Sequence, residues 1–305
     1  MSFSQKVKHE ICKSNKFEKS CCRKAQLYGI LFFSNIYRYD EFRFYTENSE
    51  VAKKTALLAN AVSGANLSIT KSLKNSDVND ELYILTASNE DAHRLFEVMG
   101  YDQNSVSIRL NRANLECETC VHAFISGAFL ASGSIVSPEK GYHLEVVSSY
   151  ANRARDLLNL LNEIDITSNM AARKSKHIVY IKFSELIEDF LNIVGAQNAS
   201  FDLMNVKIFK DIRNRANRAV NCETANLSKA VSAASVQIEA IMKLKKIGLY
   251  DSLNDALKNA AELRLKNPEA TLNELSEISI PKISKSGLNH RLKKIIELSK
   301  SSEVE

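Results

Sequence analysis

Two stretches set 98 residues apart constrain this chain more than any other feature. Laying CCRKAQLYGILFFSNI (21–36) over TCVHAFISGAFLASGS (119–134) puts Cys22 on Cys120, Ala25 on Ala123, Gly29 on Gly127 and Ser34 on Ser132. The correspondence continues downstream. An alternating run follows each stretch, FRFYT (42–46) and HLEVVS (143–148), and a period of two reads as a strand with one buried face. A helical segment comes next, NSEVAKKTALLANAV (48–62) or NRARDLLNLLNEI (152–164). Two more strand-like segments then appear in each half, LSITKSL and ELYILTA in the first, MAARKS and HIVYIKF in the second. Each half closes on a helix ending in glycine, SNEDAHRLFEVMG (88–100) and SELIEDFLNIVG (184–195); glycine takes the left-handed conformation that ends helices. The repeated unit is predicted as αββαββα, three of whose four strands are marked by these segments. Two copies form one pseudo-symmetric domain, because one alone is too small to bury a sufficient core.

The repeated helices are almost wholly apolar, yet they carry Ala25, Gly29, Ala123, Ser126 and Gly127. Small residues at equivalent places predict that the two helices meet at the internal two-fold with their backbones in close approach. LYGILFFSN and ISGAFLASG resemble degenerate copies of the motif of LAGLIDADG homing endonucleases, with the resemblance running from residue 21 to about 195. It implies two such helices at the centre and the αββαββα fold in each half. In the active family, the last acid of each motif holds divalent metal at the scissile phosphates. Ser34 and Ser132 stand at those positions here, and the other motif acid falls on Phe32 and Leu130. A neutral hydroxyl does not replace a carboxylate as ligand to a hard cation. Asp40 and Glu41, the nearest acids, lie past the helix end in the first half alone. Ser34 and Ser132 thus mark lost catalytic acids, and neither catalytic residues nor enzymatic activity are expected.

Charge points elsewhere in the chain. Residues 1–204 hold 23 Lys and Arg against 24 Asp and Glu, whereas residues 205–305 hold 18 against 12, so a polyanion would meet the C-terminal third. With three prolines and nine glycines in 305 residues, long flexible linkers are not expected. The charged opening MSFSQKVKHEICKSNK lacks the apolar centre of a secretory signal. The longest uncharged run, about 121–136, is too short and too rich in Ser and Gly to span a membrane. Cytoplasmic, reduced cysteines follow as the expectation. Cys117-x-x-Cys120 with His122 nearby suggests half a zinc site, but the other pair, Cys21-Cys22, is adjacent, a spacing poorly suited to joint chelation. Buried thiols, no metal and no cofactor are expected.

The working part is predicted in the basic third. Lys207, Lys210, Arg213, Arg215 and Arg218 face a single acid, Asp211, between positions 207 and 218, a candidate phosphate-contacting linker. A long connecting helix follows, with Leu227, Val231, Ala234, Ile238 and Ile241 on one face and Gly248 at its end. Three helices then come in close succession. SLNDALKNAAELRLKN (252–267) is amphipathic, and TLNELSEI (271–278) opens with the capping-box pair Thr271 and Glu274. SKSGLNHRLKKIIELSK (284–300) has the inward stripe Leu288, Leu292 and Ile295. A short capped helix, a tight turn and a basic amphipathic helix make a helix-turn-helix pattern. Asn289 is the candidate for adenine and Arg291 for guanine. Lys282, Lys285, Lys293 and Lys294 are candidates for phosphates, Ser284 for the helix cap and a phosphate, and Ser286 and His290 complete the polar face.

A degenerate LAGLIDADG domain joined to a C-terminal helix-turn-helix is similar to the WhiA family, as are NRAVNCETANLSKA at the junction and ISKSGLNHRLKKI at the recognition helix. The resemblance runs nearly end to end. It implies a cytoplasmic, nucleoid-associated protein that binds double-stranded DNA, involved in sporulation, cell division or chromosome segregation, in some lineages activating transcription with a regulatory protein partner. The expected organisation is an α+β chain: an N-terminal helix (1–20), the duplicated LAGLIDADG-like domain (21–200, repeats 21–100 and 119–195), a basic helical linker (201–250) and an all-α helix-turn-helix domain (251–305). Two other classes stay open: a scaffold for a protein partner that its helix-turn-helix localises to DNA, and a metal-dependent endonuclease, against which the two serines argue.

Overall fold

The computed structural model describes residues 1–73, 81–105 and 107–301. The chain divides into two compact units, 1–210 and 211–305. The first unit opens with α1 (Phe3–Lys13), started by a capping box between Ser2 and Gln5. Its first half then runs α2 (Ser20–Phe32), β1 (Ile36–Tyr37), β2 (Phe42–Thr46), α3 (Ser49–Ser63), β3 (Leu67–Leu73), β4 (Glu81–Ala87) and α4 (Asn89–Glu97). Its second half repeats the series as α5 (Glu118–Ser132), β5 (Gly133–Ile135), β6 (Leu144–Ser148), α6 (Ala151–Glu163), β7 (Asn169–Arg173), β8 (Lys176–Ile181) and α7 (Ser184–Val194). The αββαββα unit therefore occurs twice, as the repeat predicts.

Each half folds one four-stranded antiparallel sheet with the same order, β1-β2-β4-β3 and β5-β6-β8-β7. Alternation sets which face is buried. In β2, Phe42, Phe44 and Thr46 turn inward, and in β6, Leu144, Val146 and Ser148 do. Phe44 pairs with Leu85, and Val146 with Val179, so the central strands present matched apolar rows. Gly64 and Gly195 end α3 and α7 with φ of 71° and 91°, the left-handed conformation expected of helix-closing glycines.

Helices α2 and α5 form the centre of this unit, and their glycines explain how. A Cβ on Gly29 would stand 2.1 Å from the Phe124 carbonyl oxygen, and one on Gly127 would stand 2.1 Å from that of Gln26. Both distances lie far inside contact, so only glycine lets the two backbones come this near. The interface also has a polar element. Gln26 donates to the Ser126 hydroxyl at 3.2 Å, and Ser126 donates onward to the Val194 carbonyl. Buried polar groups are thereby satisfied, and the pair is locked to α7.

Helix α8 (Gln197–Lys246) is one 50-residue element crossing from the first unit into the second. Sequence patterning divides this stretch into a basic linker and a separate connecting helix, but no Gly or Pro interrupts 197–246, so the helix never breaks. Its start is capped from a distance: the Glu10 carboxylate accepts the amides of Asn198 and Ala199 at 2.6 and 3.1 Å. An anion at this end also suits the helix dipole.

The second unit holds the last turns of α8 together with α9 (Asp255–Lys266), α10 (Leu272–Ile278) and α11 (Lys285–Ser301). Its core gathers Ala240, Ile241, Leu244, Ala260, Ala261, Leu275, Leu288, Leu292 and Ile295. The inward face predicted for the connecting helix needs correction. Ala234 and Ile241 are buried, but Leu227 and Val231 are exposed, because the packed core begins only near residue 234. Arg264 is the largest side chain buried here. It donates to Gln237 at 2.9 Å and to the carbonyls of Ala270 and Asn267, tying α8, α9 and the start of α10 together. Burial lowers its pKa, and three acceptors compensate the buried charge.

Candidate nucleic-acid interface

The α10–α11 pair has the local chemistry of a stable turn between two helices. Thr271 and Glu274 form the reciprocal capping box at the start of α10. Ser279 donates to the Ser276 carbonyl and accepts the Ile283 amide, both at 2.9 Å, which fixes the turn. Ser284 caps α11 by accepting the Gly287 amide at 3.2 Å. Leu288, Leu292 and Ile295 are fully buried, so the orientation of α11 about its own axis is set by packing.

That orientation sorts the candidate residues. At about 100° per residue, Ser286, His290 and Lys293 fall opposite the buried stripe. Ser286, His290, Lys293 and Lys294 are all exposed, as are Lys282, Ser284 and Lys285 in and beside the first turn. Asn289 and Arg291 are half-buried and flank the stripe on opposite sides, since two residues turn a helix by about 200°. Lys294 also lies 3.4 Å from Glu297 in an exposed ion pair. The opposite flanking of Asn289 and Arg291 follows from their spacing and the inward stripe alone.

The basic linker divides too. Lys207 bridges Glu185 at 2.5 Å and Glu188 at 3.5 Å, and that hydrogen bond helps hold the Glu185 carboxyl down at about 2. Lys210 donates to the Pro138 carbonyl at 2.6 Å and lies over the Tyr142 ring. Both lysines fasten α8 to the first unit. Arg213, Arg215 and Arg218 are exposed. Arg215 and Arg218 share one face, with Arg213 well round the helix.

Ser34 and Ser132 line one cleft of about 310 Å³ at the C-terminal ends of α2 and α5. None of the side chains around it is acidic, and two, Arg153 and Lys176, are basic. Ser34 donates to the Leu31 carbonyl at 2.7 Å, whereas the buried Ser132 hydroxyl has no partner among the described residues. Arg153 donates to the Phe32 carbonyl at 2.7 Å and stacks over Tyr150 at 4.3 Å; burial lowers its pKa. A cationic group that caps a helix C-terminus suits the dipole. The same charge repels a hard metal ion.

At the opposite end of the same helix pair the two cysteine pairs come together, although the adjacent spacing of Cys21-Cys22 is expected to suit joint chelation poorly. The sulfurs of Cys21, Cys22, Cys117 and Cys120 all lie within 4.8 Å of one another. Adjacent cysteines converge here because they occupy the first turn of α2, where Cα–Cβ bonds tilt toward the N-terminus and lean past the helix end. His122 does not belong to the cluster. The sequence signals for it are the Cys117-x-x-Cys120 spacing and the equivalence of Cys22 and Cys120 in the repeat.

Comparison with known proteins covers both units. Residues 121–213 match the WhiA LAGLIDADG-like domain, and residues 216–299 match the WhiA C-terminal HTH domain. A probable cell division protein WhiA from Clostridium botulinum (strain Hall) is 39% identical over 97% of this chain and 96% of its own length. A protein of the same name from Clostridium beijerinckii is 38% identical, with coverage of 97% and 96%. The crystal structure of full-length WhiA from Thermatoga maritima aligns over 99% of both chains with a TM-score of 0.58 at 21% identity, which shows a shared fold.

Proposed function

The chain belongs to the WhiA family, and from that premise we propose that it is a non-enzymatic protein that binds double-stranded DNA, acting at the nucleoid in cell division, chromosome segregation or sporulation as a transcriptional regulator. The observation that carries the proposal is the exposed polar face of α11, held outward by Leu288, Leu292 and Ile295 beneath it. Residues near the start of a recognition helix reach base edges. Ser286, Asn289 and His290 are assigned that role, with Asn289 suited to adenine. Lys282, Ser284, Lys285, Lys293 and Lys294 are assigned to phosphates, which fix register without reading sequence. Arg291, on the far flank from Asn289, is assigned to the backbone rather than to guanine. Arg213, Arg215 and Arg218 form a second phosphate-contacting surface, and Lys207 and Lys210 serve folding instead.

Loss of nuclease chemistry is supported by the cleft around Ser34 and Ser132, where a hard metal would find hydroxyls and cations in place of carboxylates. A gel shift on fragmented genomic DNA, at two salt concentrations and with or without Mg²⁺, tests the proposal. Intact retarded fragments enriched in one sequence are expected, with affinity falling steeply as salt rises. Cleaved fragments would restore the endonuclease reading. No retardation even at low salt would move the role to a protein partner.

A further inference from the structure

Four cysteines from two halves of the first unit meet at the N-terminal end of the central helix pair. Cys21 and Cys22 sit in the first turn of α2; Cys117 immediately precedes α5 and Cys120 lies in its first turn. The sulfur separations are 3.9 Å for Cys21–Cys117, 3.8 Å for Cys22–Cys117, 3.4 Å for Cys117–Cys120 and 3.9 Å for Cys22–Cys120. Four thiolates bound tetrahedrally at a zinc–sulfur distance of about 2.3 Å stand about 3.8 Å apart along each edge. Those four separations lie within about 0.4 Å of that edge and all six are within 4.8 Å, far beyond the ~2.05 Å of a disulfide. Bridging sulfide between several irons would need them spread more widely. Cys22 and Cys120 are buried, and Cys21 and Cys117 are half-buried, so the cluster has one side open for an ion to enter.

We propose that Cys21, Cys22, Cys117 and Cys120 bind a single soft divalent ion, zinc, in a closed tetrahedral structural site that staples the two halves of the first unit together. An all-sulfur tetrahedral set selects zinc over hard cations. Binding converts four thiols and Zn²⁺ into a tetrathiolate complex of net charge −2 and releases four protons. That charge lies at the first turns of α2 and α5, neither of which has a side-chain cap, so the partial positive charge of both helix starts favours it. Phe17, Ala25 and Ala123 pack with Cys22 and Cys120 in a small apolar cluster that shields the inner side of the site. The ligands join positions almost a hundred residues apart, which makes the ion a cross-link between the repeats.

Elemental analysis of the full-length chain, purified under reducing conditions without chelator, tests the site. About one zinc per chain is expected, falling at least ten-fold in Cys22→Ser and in Cys117→Ser, while Cys12→Ser and Cys222→Ser keep it. Cys117→Ser changes a half-buried position and is the variant least liable to unfold; its far-ultraviolet circular dichroism shows whether metal loss precedes structural loss. Refilling the stripped chain with Co²⁺ should give the intense visible bands of tetrahedral cobalt thiolate, absent in Cys117→Ser. Metal-free folded protein whose thiols alkylate equally fast with and without added zinc would overturn the proposal. So would disulfides among the four, or iron accompanied by acid-labile sulfide.

Discussion

The two units reach a packed core by opposite routes. In the first, the centre is an interface between helices about a hundred residues apart in sequence, and it closes only because Gly29 and Gly127 leave no side chain between two backbones. In the second, the core is made by side chains drawn from the last seventy residues, with Leu288, Leu292 and Ile295 filling the space below α11. Shape complementarity of backbone is intolerant of added atoms, whereas a side-chain core is intolerant of lost ones. The difference extends to charge. Around the exposed strands of the first unit, cations pair with acids, as in Lys71–Glu81 and Arg43–Glu41. On α11, Lys285 and Lys293 are exposed with no ion pair among the described residues, while Lys294 pairs with Glu297.

The largest effect should come from adding an atom to the first unit. Gly127→Ala places a Cβ against the Gln26 carbonyl and should cost about 3 kcal/mol by urea unfolding; an unchanged midpoint would mean the backbones do not approach so closely. Removing atoms from the second unit comes next. Leu288→Ala should cost about 2–5 kcal/mol and abolish retardation of DNA, since the polar face loses its support. Changes at the polar positions of α11, half-buried Asn289 or exposed Lys293, should alter stability little. Asn289→Ala is expected to weaken a specific site by about 1–3 kcal/mol while binding to random DNA stays the same, which fluorescence anisotropy on both DNAs would read. Lys293→Ala should weaken both DNAs alike and reduce the salt slope by about one. Equal behaviour of these two variants would erase the division between base-reading and phosphate-holding residues.

The smallest effect separates the two halves of the first unit. Ser34 donates to the Leu31 carbonyl, but the Ser132 hydroxyl is buried without a partner among the described residues. Ser34→Ala should therefore cost about 1 kcal/mol, and Ser132→Ala should be neutral or slightly stabilising. A cost for Ser132→Ala as large as that for Ser34→Ala would show that its hydroxyl has a partner in solution.

Local periodicity was enough to read three of the four strands in each αββαββα repeat, the closing glycines at 100 and 195, the capping box at Thr271 and the inward stripe of α11. Each of these is set by residues within a turn or two of one another, where propensity and hydrophobic pattern act directly. The equivalence of Gly29 with Gly127 was legible as well, because a repeat carries long-range information inside the sequence. Tertiary structure decided the rest. It runs 197–246 as one helix, leaves Leu227 and Val231 in solvent, spends Lys207 and Lys210 on the first unit, and buries Arg264 among carbonyls. It also draws four cysteines together. Spacing along the chain gives the angle between two residues on one helix. Which angle faces a neighbour, and which distant helix end arrives beside it, depends on packing that no local pattern records.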